Sequence, residues 1–160
     1  MKEVIVKVAD WAAELGDGVI VTLGLGSCVA IMLHDPQRAA GAMAHILLPS
    51  RSLAHDTTNR AKFPETAVPL LVERLKALGA EPRRLVAKLA GGASMFSQLM
   101  TPGTIQMGER NIVAARNALR AASIPIVRES VGGERGRSVR FHVRDGRVEI
   151  RSVGADAEVI

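Results

Sequence analysis

Two β-branched runs joined by a glycine-hinged turn constrain this chain more than any other feature. Val19-Ile20-Val21-Thr22-Leu23 reads as a buried strand, and Val29 to His34 reads as another. Between them lies Gly24-Leu25-Gly26-Ser27-Cys28. Gly24 and Gly26 lack a side chain, so the backbone there can take positive φ and bend tightly. A residue just past such a bend can be held at a sheet rim with its side chain in a cleft, where a nucleophile is needed. Cys28 is the only cysteine among 160 residues. It can form neither an internal disulfide nor a multi-thiolate zinc site, so its chemistry is that of a free thiol.

The rest of the chain supplies the partners of these two strands. Residues 2–8 alternate, with Val4, Val6 and Val8 apolar in period two, and read as a first strand. Trp11 to Leu15 reads as a short helical turn ended by Gly16-Asp17-Gly18. Gly41 to Leu48 is a third apolar run stopped by Pro49, which places Cys28 and His45 on neighbouring elements. Arg51 to Lys62 is polar and aperiodic and reads as a loop. Pro64 to Leu78 reads as a helix with Gly79 as its stop, and Pro69 must lie in its first turn or kink it. Leu85 to Leu89 is a strand running into Gly91-Gly92. Glu109 to Ala122 is a second helix, with Ile112, Val113, Arg116 and Leu119 in helical rhythm. Ile126 to Val131 is a strand. Val139 to Arg144 and Val148 to Arg151 form a hairpin across a two-residue Asp145-Gly146 turn. Strands outnumber helices and hairpins coexist with them, so the class is α+β with mixed sheets. Nothing splits residues 1–160, which read as one domain.

Charge and composition narrow the function. The formal charge of +5 and pI near 10.1 suit an acidic protein surface or a nucleic acid. Nucleic acid is disfavoured: there is no Tyr, only Trp11 and three Phe, and no basic–aromatic ladder for stacking bases. No apolar run approaches the ~20 residues that span a bilayer, and the charged, alternating start lacks a signal-peptide core. A cytoplasmic protein without membrane insertion is expected.

A thiol near its ordinary pKa is mostly protonated at neutral pH and needs a base or a positive neighbour. His45 can take the thiol proton and return it to a departing amine. Thr22 can fix the imidazole tautomer, and the turn amides around Ser27 and Cys28 can hold an oxyanion. By residue type and spacing alone, a lone cysteine such as Cys28 reads first as a buried small hydrophobe. His34, His55 and His142 lack ligand spacing with Cys28, so no metal is expected. Gly24-x-Gly26 lacks the third small residue of a dinucleotide fingerprint, Val29 standing there, so no cofactor is expected.

Five blocks, in order from about residue 19 to 150, resemble the chemoreceptor glutamine deamidase family, CheD. They are Thr22 to Ala30, Gly41 to Pro49, Lys88 to Phe96, Ile105 to Asn111 and Gly132 to Val139. The resemblance implies a cysteine amidohydrolase that converts glutamines of methyl-accepting chemotaxis receptors to glutamates through a thioester. It implies an α/β/β layered sandwich with a cysteine-hydrolase-like deamidase fold, and a CheC-type phosphatase as a further partner. The family's nucleophile, histidine and threonine fall on Cys28, His45 and Thr22. Ser27, with Gly26, reads either as a plain turn or as oxyanion support, and Gly91-Gly92 reads either as a backbone bend after a strand or, by its fit to a family block, as a wall of the cleft. The chain departs from the family pattern at Ala61-Lys62-Phe63 and at Arg144-Asp145-Gly146. Two other readings stand beside this one: a catalytically weak docking module on receptors or the phosphatase, and an esterase or thioester hydrolase.

Overall fold

Strict alternation along two neighbouring strands sets the layers. The structure, a computed structural model, describes residues 2–95 and 106–160. In chain order its strands are β1 (Glu3–Ile5), β2 (Trp11–Leu15), β3 (Val19–Leu25), β4 (Val29–Asp35), β5 (Ala40–Ile46), β6 (Val86–Gly91), β7 (Ile126–Val131), β8 (Arg137–His142), β9 (Val148–Arg151) and β10 (Glu158–Val159). Helix α1 spans Pro64–Ala77 and α2 spans Met107–Ala121. On β4 and β5, Val29, Ile31, Leu33, Ala40, Ala42, Ala44 and Ile46 pack with both helices. The intervening Ala30, Met32 and Met43 pack instead with Ile20, Val139 and Phe141 of the other sheet. Both faces of these strands are buried, which is why their sequences read as continuous apolar runs.

The strands make two five-stranded sheets, ordered β1-β3-β8-β9-β10 and β2-β5-β4-β6-β7. Each is mixed: β1 pairs parallel with β3 and β6 parallel with β7, while the remaining pairs are antiparallel. The helices cover one face of the second sheet and the first sheet covers the other, giving the α/β/β sandwich. Small residues permit the close approach. A Cβ at Gly41 would lie 2.8 Å from the Phe141 ring, so glycine there lets the ring rest on the opposing sheet.

Several elements differ from the sequence expectation. Trp11–Leu15 is a strand, not a helical turn, because it completes the edge of the second sheet against Ala40–Ala44. The first strand ends at Ile5. The hairpin pairs Phe141 with Val148, so its connection is longer than Asp145-Gly146, and the two-residue shift in register keeps Phe141 and Val139 facing inward. Pro69 lies in the second turn of α1 on the exposed side, and having no N–H it gives the Glu65 carbonyl no helical donor. Gly79 stops α1 as expected: the N–H groups of Gly79 and Ala80 donate to Lys76 and Leu75. In α2, Ala115 rather than Val113 faces the core, and Val113 is exposed.

The far end of β4 carries a buried charge. Asp35 is fully buried and accepts hydrogen bonds from the Arg84 guanidinium and from the N–H groups of Glu81, Gln37 and Arg38. Burial alone would raise its pKa, but these bonds outweigh it and hold the carboxyl at about 2. A carboxylate depressed below its unfolded value stabilises the fold above that value and ceases to do so as pH falls through its folded pKa. Acid unfolding followed by circular dichroism is expected to show roughly 2 kcal/mol lost between about pH 4 and pH 2. The Asp35→Asn protein, already weakened at neutral pH, should lack that step.

Candidate active site

The register of β4 against β5 brings the thiol and the imidazole together. Ala30 pairs directly with His45, and Cys28 lies two residues before Ala30 on the same face. Cys28 and His45 are therefore diagonal neighbours, roughly 7–8 Å apart at the backbone. Both sit between the sheets, His45 fully buried and Cys28 9% exposed.

Thr22 reaches His45 from the opposite sheet. Its Oγ1 lies 2.7 Å from His45 Nδ1 and donates its one hydrogen to the Val6 carbonyl, also at 2.7 Å. The hydroxyl can then only accept from the ring, so the network assigns the ring proton to Nδ1 and leaves Nε2 as a lone pair. Nε2 is buried without a hydrogen-bond partner. The main chain of His45 is held as well: its N–H donates to Asp10, and its carbonyl accepts from Ala9. Asn59 Nδ2 donates to the Ala9 carbonyl and ties this segment to the loop before α1.

Thr22 faces inward by alternation with Ile20, and a bulge follows it on the strand. Thr22 pairs with Val139 but Leu25 pairs with Arg137, one extra residue on β3. Gly24 takes φ +68° there, a conformation that favours glycine. The bulge turns Leu23 to solvent and Leu25 to the core. The strand thus runs through Gly24 to Leu25, and the turn proper is Gly26-Ser27. Gly26 does not adopt positive φ; its missing side chain instead gives room to Met95, whose Sδ would lie 3.2 Å from a Cβ.

Electrostatics favour a neutral pair at rest. Burial lowers the pKa of His45, so the ring is uncharged at neutral pH. Burial raises the pKa of Cys28, against a smaller lowering by its own N–H. The arrangement suits general-base removal of the thiol proton more than a standing thiolate–imidazolium pair.

Gly91 and Gly92 close the back of the turn. Gly92 N–H donates to the Cys28 carbonyl and Ala93 N–H to the Gly26 carbonyl, each at 2.8 Å. Gly91 has φ +107°, and a Cβ there would lie 2.3 Å from the Cys28 oxygen. Gly91→Ala is expected to cost more than the ~1–3 kcal/mol of backbone strain alone. A fall in thermal midpoint together with altered alkylation of Cys28 would register it; an unchanged midpoint would contradict the contact.

The remaining histidines stand apart. His34 Nε2 bonds the Val143 carbonyl, His55 is exposed on its loop, and His142 faces Glu149. The sequence reading missed two groups. The Val6 carbonyl has no side-chain signal at all. Asn111, fully buried on α2, was legible only as a residue of the second helix and the end of one resemblance block.

The profile of the family described as CheD chemotactic sensory transduction matches residues 47–152. The chain is 42% identical over 159 residues to a Thermotoga maritima protein named chemoreceptor glutamine deamidase CheD, covering 99% of this chain and 97% of that one. It is 43% identical over 160 residues to a Moorella thermoacetica protein named "Probable chemoreceptor glutamine deamidase CheD", covering 99% and 96%. Among solved structures, a Neisseria meningitidis protein matching the family-model DUF152 shares the fold, with a TM-score of 0.51 and 14% identity over 91% of this chain and 71% of that one. Matched by the profile over most of its length and by these relatives from end to end, the chain belongs to the CheD family.

Proposed function

We propose that this protein deamidates glutamine side chains of chemoreceptors, with Cys28 as nucleophile, His45 as base and acid, and Thr22 as the residue that fixes the imidazole. The observation that carries the mechanism is the Val6–Thr22–His45 chain, which leaves the His45 Nε2 lone pair without a hydrogen-bond partner. Nε2 takes the proton from the Cys28 thiol, and the sulfur forms a bond to the carboxamide carbon. The carbonyl oxygen becomes an oxyanion held by turn N–H groups at Ser27 and Cys28. The intermediate collapses, the C–N bond breaks, and the imidazolium proton leaves with ammonia. Water, deprotonated by Nε2, then attacks the thioester; the C–S bond breaks, the imidazolium proton passes to the Cys28 sulfur, and glutamate departs.

A groove beside the turn suits the substrate's backbone. It encloses about 430 Å³ and is lined by Gly24, Met95, Arg135, Gly136, Arg137 and Arg151 among others. Arginines at its wall favour an acidic segment on either side of the target glutamine. Acting on the receptors' cytoplasmic domains, the protein would work in the cytoplasm as a single domain, with a CheC-type phosphatase as a second partner.

The test is peptide mass spectrometry of a purified receptor cytoplasmic domain after incubation with the protein. Conversion of a few glutamines to glutamate is the expected result. Binding without conversion would favour the docking-module reading, and neither would remove the receptor as substrate.

A further inference from the structure

The turn that precedes Cys28 is held by its carbonyls, one donor to each. The Gly26 oxygen accepts from Ala93 N–H and the Cys28 oxygen from Gly92 N–H, both at 2.8 Å. The Ser27 oxygen, between them, accepts from a side chain, Asn111 Nδ2, at 2.9 Å. In a planar trans peptide the C=O of one residue and the N–H of the next point in opposite directions. Whatever holds the Ser27 carbonyl therefore fixes the direction of the Cys28 N–H. That N–H acts to lower the pKa of its own thiol. Among the described residues, no backbone carbonyl accepts from the N–H of Ser27 or Cys28.

Asn111 makes a second bond that links the two halves of the site. The same Nδ2 donates to the Leu47 carbonyl at 3.2 Å, two residues beyond His45. One amide thus joins the entrance of the cysteine strand to the exit of the histidine strand. Its orientation is locked, because a flipped amide would set Oδ1 against two carbonyl oxygens. The cost is visible: Oδ1 is buried and unpaired in a residue with no exposed surface. A buried acceptor left unpaired in a native fold calls for an explanation. Close packing brings the helix in, since a Cβ at Gly108 would lie 2.5 Å from the Gly92 and Ala93 oxygens.

We propose that Asn111 is a positioning residue for the oxyanion site, aiming the Cys28 N–H by holding the Ser27 carbonyl. The proposal rests on the reading of Cys28 as a nucleophile, but not on the identity of its substrate. Removing Asn111 should slow reactions of Cys28 that pass through an oxyanion and spare those that do not.

Two probes separate the cases. With p-nitrophenyl acetate the sulfur adds to the acyl carbon, an oxyanion forms, and p-nitrophenolate leaves to give S-acetyl Cys28. With iodoacetamide the C–S bond forms as the C–I bond breaks, and no oxyanion arises. Asn111→Leu is expected to slow acylation by roughly 10–100-fold, somewhat less than deletion of an oxyanion donor, with alkylation changed by no more than about twofold. Asn111→Ser fits the space and retains one donor, so it should fall between; it carries the test if the leucine variant does not fold. An equal fall in both rates would reduce Asn111 to a fold contact, and no fall in either would remove its role. A wild-type thiol that is alkylated but never acylated would also overturn the proposal. Receptor deamidation measured alongside keeps the questions distinct: a wild-type protein that acylates Cys28 yet converts no glutamine sinks the substrate, not the role of Asn111.

Discussion

Cys28→Ala protein is expected to bind receptor cytoplasmic domain as wild type does and to convert no glutamine. The loss should be on the order of 10⁴–10⁶ in kcat, the scale seen when a nucleophile that acts together with its base is removed. The fold should survive. Cys28 lies at the edge of the inter-sheet core and is still 9% exposed, so trimming one sulfur leaves a small cavity at about 1 kcal/mol. Mass spectrometry of receptor peptides reads the first effect and thermal unfolding the second. Conversion that persists in the variant would move the chemistry to another residue. Conversion lost together with binding would instead mean that the cysteine shapes the docking surface.

Thr22→Val carries the second-largest effect, and it separates tautomer control from packing. Valine matches the shape of threonine but offers no oxygen to His45 Nδ1 and no hydrogen to the Val6 carbonyl. The ring then loses the contact that keeps its proton on Nδ1, and Nε2 is no longer held as the free base. A fall of roughly 10²–10⁴ in kcat is expected with little change in KM, by analogy with triads whose histidine loses its orienting partner. Two buried polar groups are left unpaired, so stability should drop by about 1–3 kcal/mol. Thr22→Ser restores the hydroxyl and should recover most of the activity. If serine and valine behave alike, the hydroxyl is not what matters at this position.

Much of the strand layout was legible because β-branched apolar runs and helical periodicity are local signals. Val19–Leu23, Val29–His34, Ile126–Val131 and both helices fall close to the elements observed. The misreadings have physical causes. Trp11–Leu15 has no strong strand pattern of its own and becomes a strand by completing a sheet edge. The hairpin register followed the core positions of Val139 and Phe141, which a two-residue turn would equally have satisfied. Val113 matched the helical rhythm, yet the face of α2 that turns inward is chosen by Ala115 and by the approach of Gly108 to Gly92.

By itself the sequence determined that one free thiol stands at the end of a glycine-marked turn, that a histidine follows on the next strand, and that the class is α+β. Those features depend on residue type and on periods of two and 3.6, which are written along the chain. Only the tertiary structure decided which ring nitrogen of His45 is free, because that rests on a hydroxyl from the other sheet and on the carbonyl of Val6. It also decided where the Cys28 N–H points, through an asparagine more than eighty residues away in sequence. Backbone carbonyls carry no side-chain signature, and a hydrogen bond across layers leaves no period. Their direction exists only once the two sheets and α2 have closed on one another.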